Sequence, residues 1–142
     1  MTTVLVLPGG TKADRALLTD TIERAGHLGV LVASDPGPAG RSPTRVCAAI
    51  LAMAPAPPLI IAAAGDAALL VPAVARAQRA AHRQVVEYLL VEPTMPTVTD
   101  SWPDAPVTVV TGQADGGPAG LARLRGWVVL AASDPWRPWR DG

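Results

Sequence analysis

The 142-residue sequence has no phenylalanine, one cysteine, two histidines and no excess of charge of either sign. Its 12 basic and 12 acidic residues cancel, so the chain lacks the one-signed field that attracts proteins to nucleic acid or to an anionic membrane. The lone cysteine, Cys47, cannot form an internal disulfide, and the amino terminus lacks the basic-then-apolar pattern of a secretory signal. We therefore expect a cytoplasmic protein with no nucleic-acid partner.

One uncharged stretch, residues 46–65, approaches the roughly 20 apolar residues that cross a bilayer. Pro55, Pro57 and Pro58 interrupt it, and each proline removes a backbone donor and disfavours helix in the residue before it. The sequence therefore predicts a helix that ends near Met53 and a strand that begins near Leu59. We expect no membrane partner.

Short apolar runs alternate with helical patterns along the chain. The runs predict six strands, at residues 4–7, 30–35, 58–65, 85–93, 106–112 and 127–133. Helices are predicted at 14–26, 44–53, 66–82 and 121–126. Strands that are apolar throughout and alternate with helices predict an α/β fold, with a mostly parallel sheet covered by helices on both faces. The length fits a single domain over 1–142, ending in a Trp- and Arg-rich tail at 134–142.

The carboxyl ends of parallel strands meet at one edge of the sheet, and ligands of such folds bind outside that edge. The segments that follow predicted strands are expected there: 8–10, 35–42, 63–66, 92–96, 111–115 and 133–139. His27 and His82 precede strands. Both histidines should therefore lie at the opposite end, where neither reaches a ligand at the site.

In this order, the motifs resemble those of the α/β-hydrolase family. The strand ending in LPGG is similar to the family's strand and oxyanion-hole loop, and DPGPAGRS is similar to the glycine-rich loop after the next strand. LIIAAAGDAALLVPAVARA is similar to the strand, elbow and helix that carry the family's nucleophile. VEYLLVEPTMP and WPDAPVTVVTG are similar to the two strands that come next. The resemblance spans residues 4–127 and implies a truncated core of that fold without a lid.

The residues of covalent catalysis are absent from this resemblance. The family's elbow is G-x-S-x-G, and aligning the end of the strand places Ala64 at the serine position. The family's histidine falls in the loop after the last strand, which reads SDPWRPW and has none. Asp115 or Glu92 corresponds to the triad acid. Acyl transfer needs a nucleophile and a base within hydrogen-bond reach, so this chain should not hydrolyse substrates by that route.

Other groups remain candidates for a site. The backbone N–H groups of Gly9, Gly10 and Gly65 would form an oxyanion hole, or the glycines serve only to make tight turns. Asp66 is either a general acid or base, or the cap of the following helix. Asp115 is either a second polar site residue or a solvated turn residue.

Trp136 has three readings, since it could close an aromatic lip over the site, dock another protein, or fill space in a chain without phenylalanine. The predicted ligand-binding set is Gly9, Gly10, Ala64, Gly65 and Trp136. No cofactor is expected and no metal ligands are assigned.

Two functions follow from these candidates. The first is a hydrolase-like protein without a triad that binds a small organic molecule, with a non-hydrolytic cyclisation or isomerisation supported by the amides and by Asp66 or Asp115. The second is a pseudoenzyme that acts as a protein-interaction or scaffolding partner, and a homodimer stays open under either reading. An atypical esterase and a nucleotide-binding protein are further alternatives. Gly9, Gly10 and Asp35 mimic a dinucleotide site, but the full G-x-G-x-x-G is absent.

Overall fold

A computed structural model of the chain describes residues 2–32, 42–113 and 116–138. Strands and helices alternate within these ranges: β1 (Thr3–Val6), α1 (Lys12–Arg24), β2 (Gly29–Leu31), α2 (Pro43–Met53), β3 (Leu59–Ala64), α3 (Val71–Ala80), β4 (Val85–Val91), β5 (Val107–Thr111), α4 (Pro118–Leu124) and β6 (Val128–Ala131). A short 3-10 helix, Gly65–Leu70, joins β3 to α3. The predicted α/β fold is confirmed.

All six strands run parallel, in the order β2-β1-β3-β4-β5-β6. The second strand lies on one side of β1 and the third lies on the other. The chain therefore changes its direction of winding between β1 and β3, and this is the topological switch point of the sheet. The loops after these two strands are the ones that a ligand at the switch point would meet.

Each face of the sheet has its own apolar core. Helices α2, α3 and α4 cover one face, where Val46, Ile50 and Val74 pack against β1, β3 and β4. Helix α1 covers the other face through Leu18 and Ile22, and a segment after β6 completes that face. Both faces are covered as predicted, but part of the second face is covered by the non-helical segment after β6.

Two connections differ from the prediction. The helix expected over 66–82 is two elements, the 3-10 helix and α3, and they meet just before Pro72, which lies in the first turn of α3, where its missing N–H has no cost. The connection 92–106 contains no helix. Trp102 anchors it in the core, and Asp104 accepts a hydrogen bond from the Tyr88 hydroxyl at 2.5 Å.

Strand β2 is an exception to the expectation of uniformly buried strands. All three of its residues are exposed although they are apolar, because the strand forms one edge of the sheet. Among the residues that the structure describes, no helix is long and apolar enough to cross a bilayer.

Candidate functional site

The loops after β1 and β3 meet at the switch point and form what we call the corner: Gly9, Gly10, Gly65 and Asp66. The Gly10 N–H donates to Asp66 Oδ1 at 2.7 Å. Gly9 and Gly10 have φ values of +130° and +83°, which residues with a side chain rarely adopt. The glycines therefore turn the β1 loop so that an amide points at the carboxylate of the β3 loop.

The corner is closely packed. A Cβ on Gly10 would lie 2.6 Å from the Ala64 carbonyl oxygen, and a Cβ on Gly65 would lie 2.9 Å from Asp14 Oδ2 and 3.0 Å from the Gly10 Cα. Real Cβ atoms do not approach other atoms so closely. Only glycine fits at Gly10, where the contact is with backbone; at Gly65 a side chain would be crowded and would also require an unfavourable left-handed backbone, and the backbones of the two loops touch.

Ala64, the predicted counterpart of the nucleophile, is not at the strained position of the turn. It is the last residue of β3, with extended backbone angles of −118° and 142°, and it pairs with Val91 of β4. The left-handed residue is Gly65, at φ +58°. The turn after β3 therefore exists as predicted, but its strained residue comes one position later and carries no side chain.

Asp66 differs from the prediction that it caps its helix. The 3-10 helix begins after Ala64 and has no side-chain cap, while the Asp66 carboxylate accepts the Gly10 amide across the corner. Asp66 is exposed, and Asp14 lies half-buried against Gly65. An oxyanion hole requires donors aimed at a developing negative charge. Here one of those donors already faces a carboxylate, so the corner disfavours a second anion.

Glu92 and Gly112 meet next to the corner, at the carboxyl ends of β4 and β5. The Gly112 N–H donates to Glu92 Oε1 at 2.6 Å, and Glu92 has a φ of +46°. The Thr94 N–H donates to the Gly65 carbonyl at 3.0 Å, which ties this loop to the corner. Glu92, one of the two predicted counterparts of the triad acid, therefore lies at the expected edge and holds the neighbouring loop.

Two predicted residues, Asp35 and Asp115, lie outside the described ranges, as does the end of the Trp- and Arg-rich tail, residues 139–142. The histidines lie within the described ranges. His27 precedes β2 and His82 precedes β4, so both are at the amino ends of the strands, and the expected distance between the histidines and the corner is confirmed.

Trp136 lies away from the corner, although the sequence predicts that it binds a ligand together with the corner glycines. Asp134 turns the chain after β6 by accepting the Ala131 N–H at 2.8 Å. The following segment crosses back over the face of α1, where Trp136 is buried and lies 6.3 Å from His27, ring centre to ring centre. The expectation that this loop stays at the carboxyl edge is therefore wrong for Trp136, because its apolar ring covers part of the sheet that α1 leaves open.

A cavity of about 540 Å³ lies beside Trp136. Its walls are mostly apolar and come from β4, β5, β6 and the segment after β6: Val86, Pro106, Val128, Leu130, Pro135 and Trp136. Ligand pockets typically hold about 300–1,000 Å³ and combine apolar walls with a few polar groups. We call this space the tail cavity.

The polar and charged residues that line the tail cavity are Glu87, Thr108, Asp134 and Arg137, and Glu87 among them is only 5% exposed. Its Oε2 accepts the Trp136 Nε1–H at 2.7 Å and the Thr108 hydroxyl at 3.3 Å. A register shift between β3 and β4 lets consecutive residues Val86 and Glu87 both line the cavity. Glu87 is not among the residues predicted from the sequence, where its signal is the single charge inside the apolar run VVEYLLV.

Among the residues that the structure describes, no group of three side chains could hold a metal ion. The fold defines the class of protein: an α/β protein with a six-stranded parallel sheet, a closed corner at the switch point and an apolar cavity on one face. The sequence matches no protein-family model and no curated protein.

Proposed function

We propose that the chain is an α/β-hydrolase-like protein that binds a small organic molecule without acyl-transfer chemistry, and that the tail cavity holds this molecule. The observation that carries the proposal is the cavity itself. It joins apolar walls to a buried carboxylate that accepts hydrogen bonds from the Trp136 indole and the Thr108 hydroxyl. This combination would bind the body of an organic molecule by burial and orient it through the polar groups of the lining.

The structure of the corner supports the second part of the proposal, that the chain does not carry out acyl transfer. Ala64 offers no nucleophilic atom, Gly65 carries no side chain at the left-handed position of the turn, and the Gly10 amide is engaged by Asp66. A carbonyl oxygen would have to displace a carboxylate to reach that amide. The same carboxylate would repel a phosphate, which argues against the nucleotide-binding alternative.

Binding in the tail cavity is tested by titrating the protein with N-phenyl-1-naphthylamine, a neutral apolar dye whose fluorescence rises on leaving water. The wild-type protein should bind the dye. Val128 lines the cavity and is 53% exposed, so Val128→Trp fills its mouth with little change to the core. We expect this variant to bind the dye at least about tenfold more weakly, a loss of about 1.4 kcal/mol.

Val98→Trp is the matched control, because Val98 is similarly exposed, at 44%, and lies outside the cavity. It should bind like the wild type. Equal binding by all three proteins, or no binding by the wild type, would contradict the proposal.

A second candidate is a non-hydrolytic proton transfer at the corner. The observation that favours it is Asp66, an exposed carboxylate fixed at the sheet edge by the Gly10 amide. A base there would act on a substrate that presents an acidic C–H, and Asp66→Asn would abolish the reaction while leaving dye binding in the tail cavity intact. Dye binding and proton exchange are thus separable readouts of the two candidates.

A further inference from the structure

We infer that the β2 edge is a docking surface for a second copy of this chain, arranged about a two-fold axis. The surface consists of β2, the preceding Leu28 and the stripe of α1 that faces them. Leu28 is 81% exposed and Leu31 is 64% exposed, and a groove of about 340 Å³ separates them from α1. This inference does not depend on the tail cavity.

The edge itself can accept a partner. The Val32 N–H donates to the Val6 carbonyl on β1. Since the backbone groups of alternate residues in a strand point to opposite sides, those of Leu31 point away from β1, toward the open side of the sheet. An edge strand with exposed apolar side chains and outward backbone groups is a template for another chain.

The charges along the groove identify that chain as a copy of this one. The α1 stripe begins with Arg15, continues through Leu18, Thr19 and Ile22, and ends with Glu23. Arg15 and Glu23 are both exposed and eight residues apart, or about 12 Å along a helix. A two-fold axis across the middle of the stripe brings the Arg15 end of one copy to the Glu23 end of the other, twice per dimer.

The neighbouring charges do not disturb this pattern. Asp20 and Arg24 pair with each other at 2.9 Å along α1, so together they add no net charge. Arg15 also donates from Nη1 to the Gly10 carbonyl at 2.5 Å, and the other donors of its guanidinium remain suited to a carboxylate. Leu18 and Ile22 are buried beneath the stripe, so the surface presents the exposed apolar side chains of Leu28 and Leu31 beside a stripe with opposite charges at its two ends.

Charge reversal tests the inference by size-exclusion chromatography with light scattering, over a dilution series of the full chain. The wild type should be a dimer at the upper concentrations. Arg15→Glu and Glu23→Arg should each be monomeric there, with dissociation constants raised at least about tenfold, because each places like charges opposite each other twice. Arg76→Glu, an exposed position on α3, is the matched control and should leave the dimer intact.

Mixing supplies the decisive arm. An equimolar mixture of the Arg15→Glu and Glu23→Arg proteins should recover the dimer mass, because every contact in the mixed pair is again between opposite charges. Recovery also shows that both variants are folded. A monomeric wild type would overturn the inference, as would single variants that stay dimeric, or a mixture of monomeric variants that fails to associate while their circular dichroism matches the wild type.

Discussion

How tightly the β1 and β3 loops pack at the corner can be tested by substituting alanine for two glycines that have the same φ. Gly10 and Gly26 both have a φ of +83°. A Cβ on Gly26 would meet nothing within 4 Å, whereas a Cβ on Gly10 would lie 2.6 Å from the Ala64 carbonyl oxygen. Alanine at either position therefore adopts the same unfavourable φ, and only one of the two alanines also collides with the β3 backbone.

The cost of Gly26→Ala follows from the backbone alone. A left-handed backbone costs alanine about 1–2 kcal/mol, and the reduced freedom of the unfolded chain offsets about 0.4–1 kcal/mol of this. We expect a net loss of about 1 kcal/mol in the free energy of unfolding. Gly10→Ala adds the collision, and overpacking of this kind costs about 1–3 kcal/mol, for a total of about 3 kcal/mol.

Urea unfolding at one fixed protein concentration, followed by tryptophan fluorescence, gives both values. Thermal unfolding gives a second measure. Since Tm changes by about 4 °C per kcal/mol for a chain of this size, Gly26→Ala should lower Tm by about 4 °C and Gly10→Ala by about 12 °C. Equal losses in the two variants would refute the packing described at the corner, because they would mean that the β1 and β3 loops do not touch.

Two further predictions concern side chains away from the corner. Burial alone would raise the pKa of Asp104, but hydrogen bonds from Tyr88 and Arg79 lower it below its usual 3.8. The stabilisation from this carboxylate is therefore present above pH 3.8 and lost as the pH falls through the lowered value, so Asp104→Asn should cost about 1 kcal/mol at pH 7 in urea unfolding and less near pH 2. An equal cost at both pH values would contradict this ionic role. Trp136→Phe should cost about 1–3 kcal/mol because Glu87 loses a buried donor, and Trp136→Ala should cost about 3–5 kcal/mol; a near-zero effect in both would mean that the segment after β6 is not packed on the sheet.

The sequence predicted the fold well because hydrophobic periodicity reports burial directly. The apolar runs around Leu59 and Val107 could be satisfied only inside a covered sheet, and both are buried strands. Strand β2 shows the limit of this rule. Apolar residues are typical of both a buried strand and an exposed edge, and strand order, which decides between them, depends on contacts between distant segments.

The corner was predicted in outline for a similar reason. Glycine after a buried strand marks a sharp turn, and Gly10 and Gly65 are both left-handed. What the sequence did not reveal was the partner of Asp66. A carboxylate near a helix start usually accepts from its own helix, and only the approach of the β1 loop offers it the Gly10 amide instead.

The tail cavity could not be predicted, because it depends on where the chain goes after its last strand. The turn at Asp134 sends Trp136 back across the sheet, and nothing local to the sequence fixes that path. The role of Glu87 could not be predicted for the same reason. Its role becomes visible only when the Trp136 indole arrives to donate to it.

We propose that a ligand binds in the tail cavity and not at the corner. This proposal is tested most directly by recording backbone and indole N–H chemical shifts while N-phenyl-1-naphthylamine is added to the protein. The largest changes should fall on Val86, Thr108 and the Trp136 indole, with little change at Gly10 or Gly65. Changes centred on Gly10 and Gly65 would contradict the account.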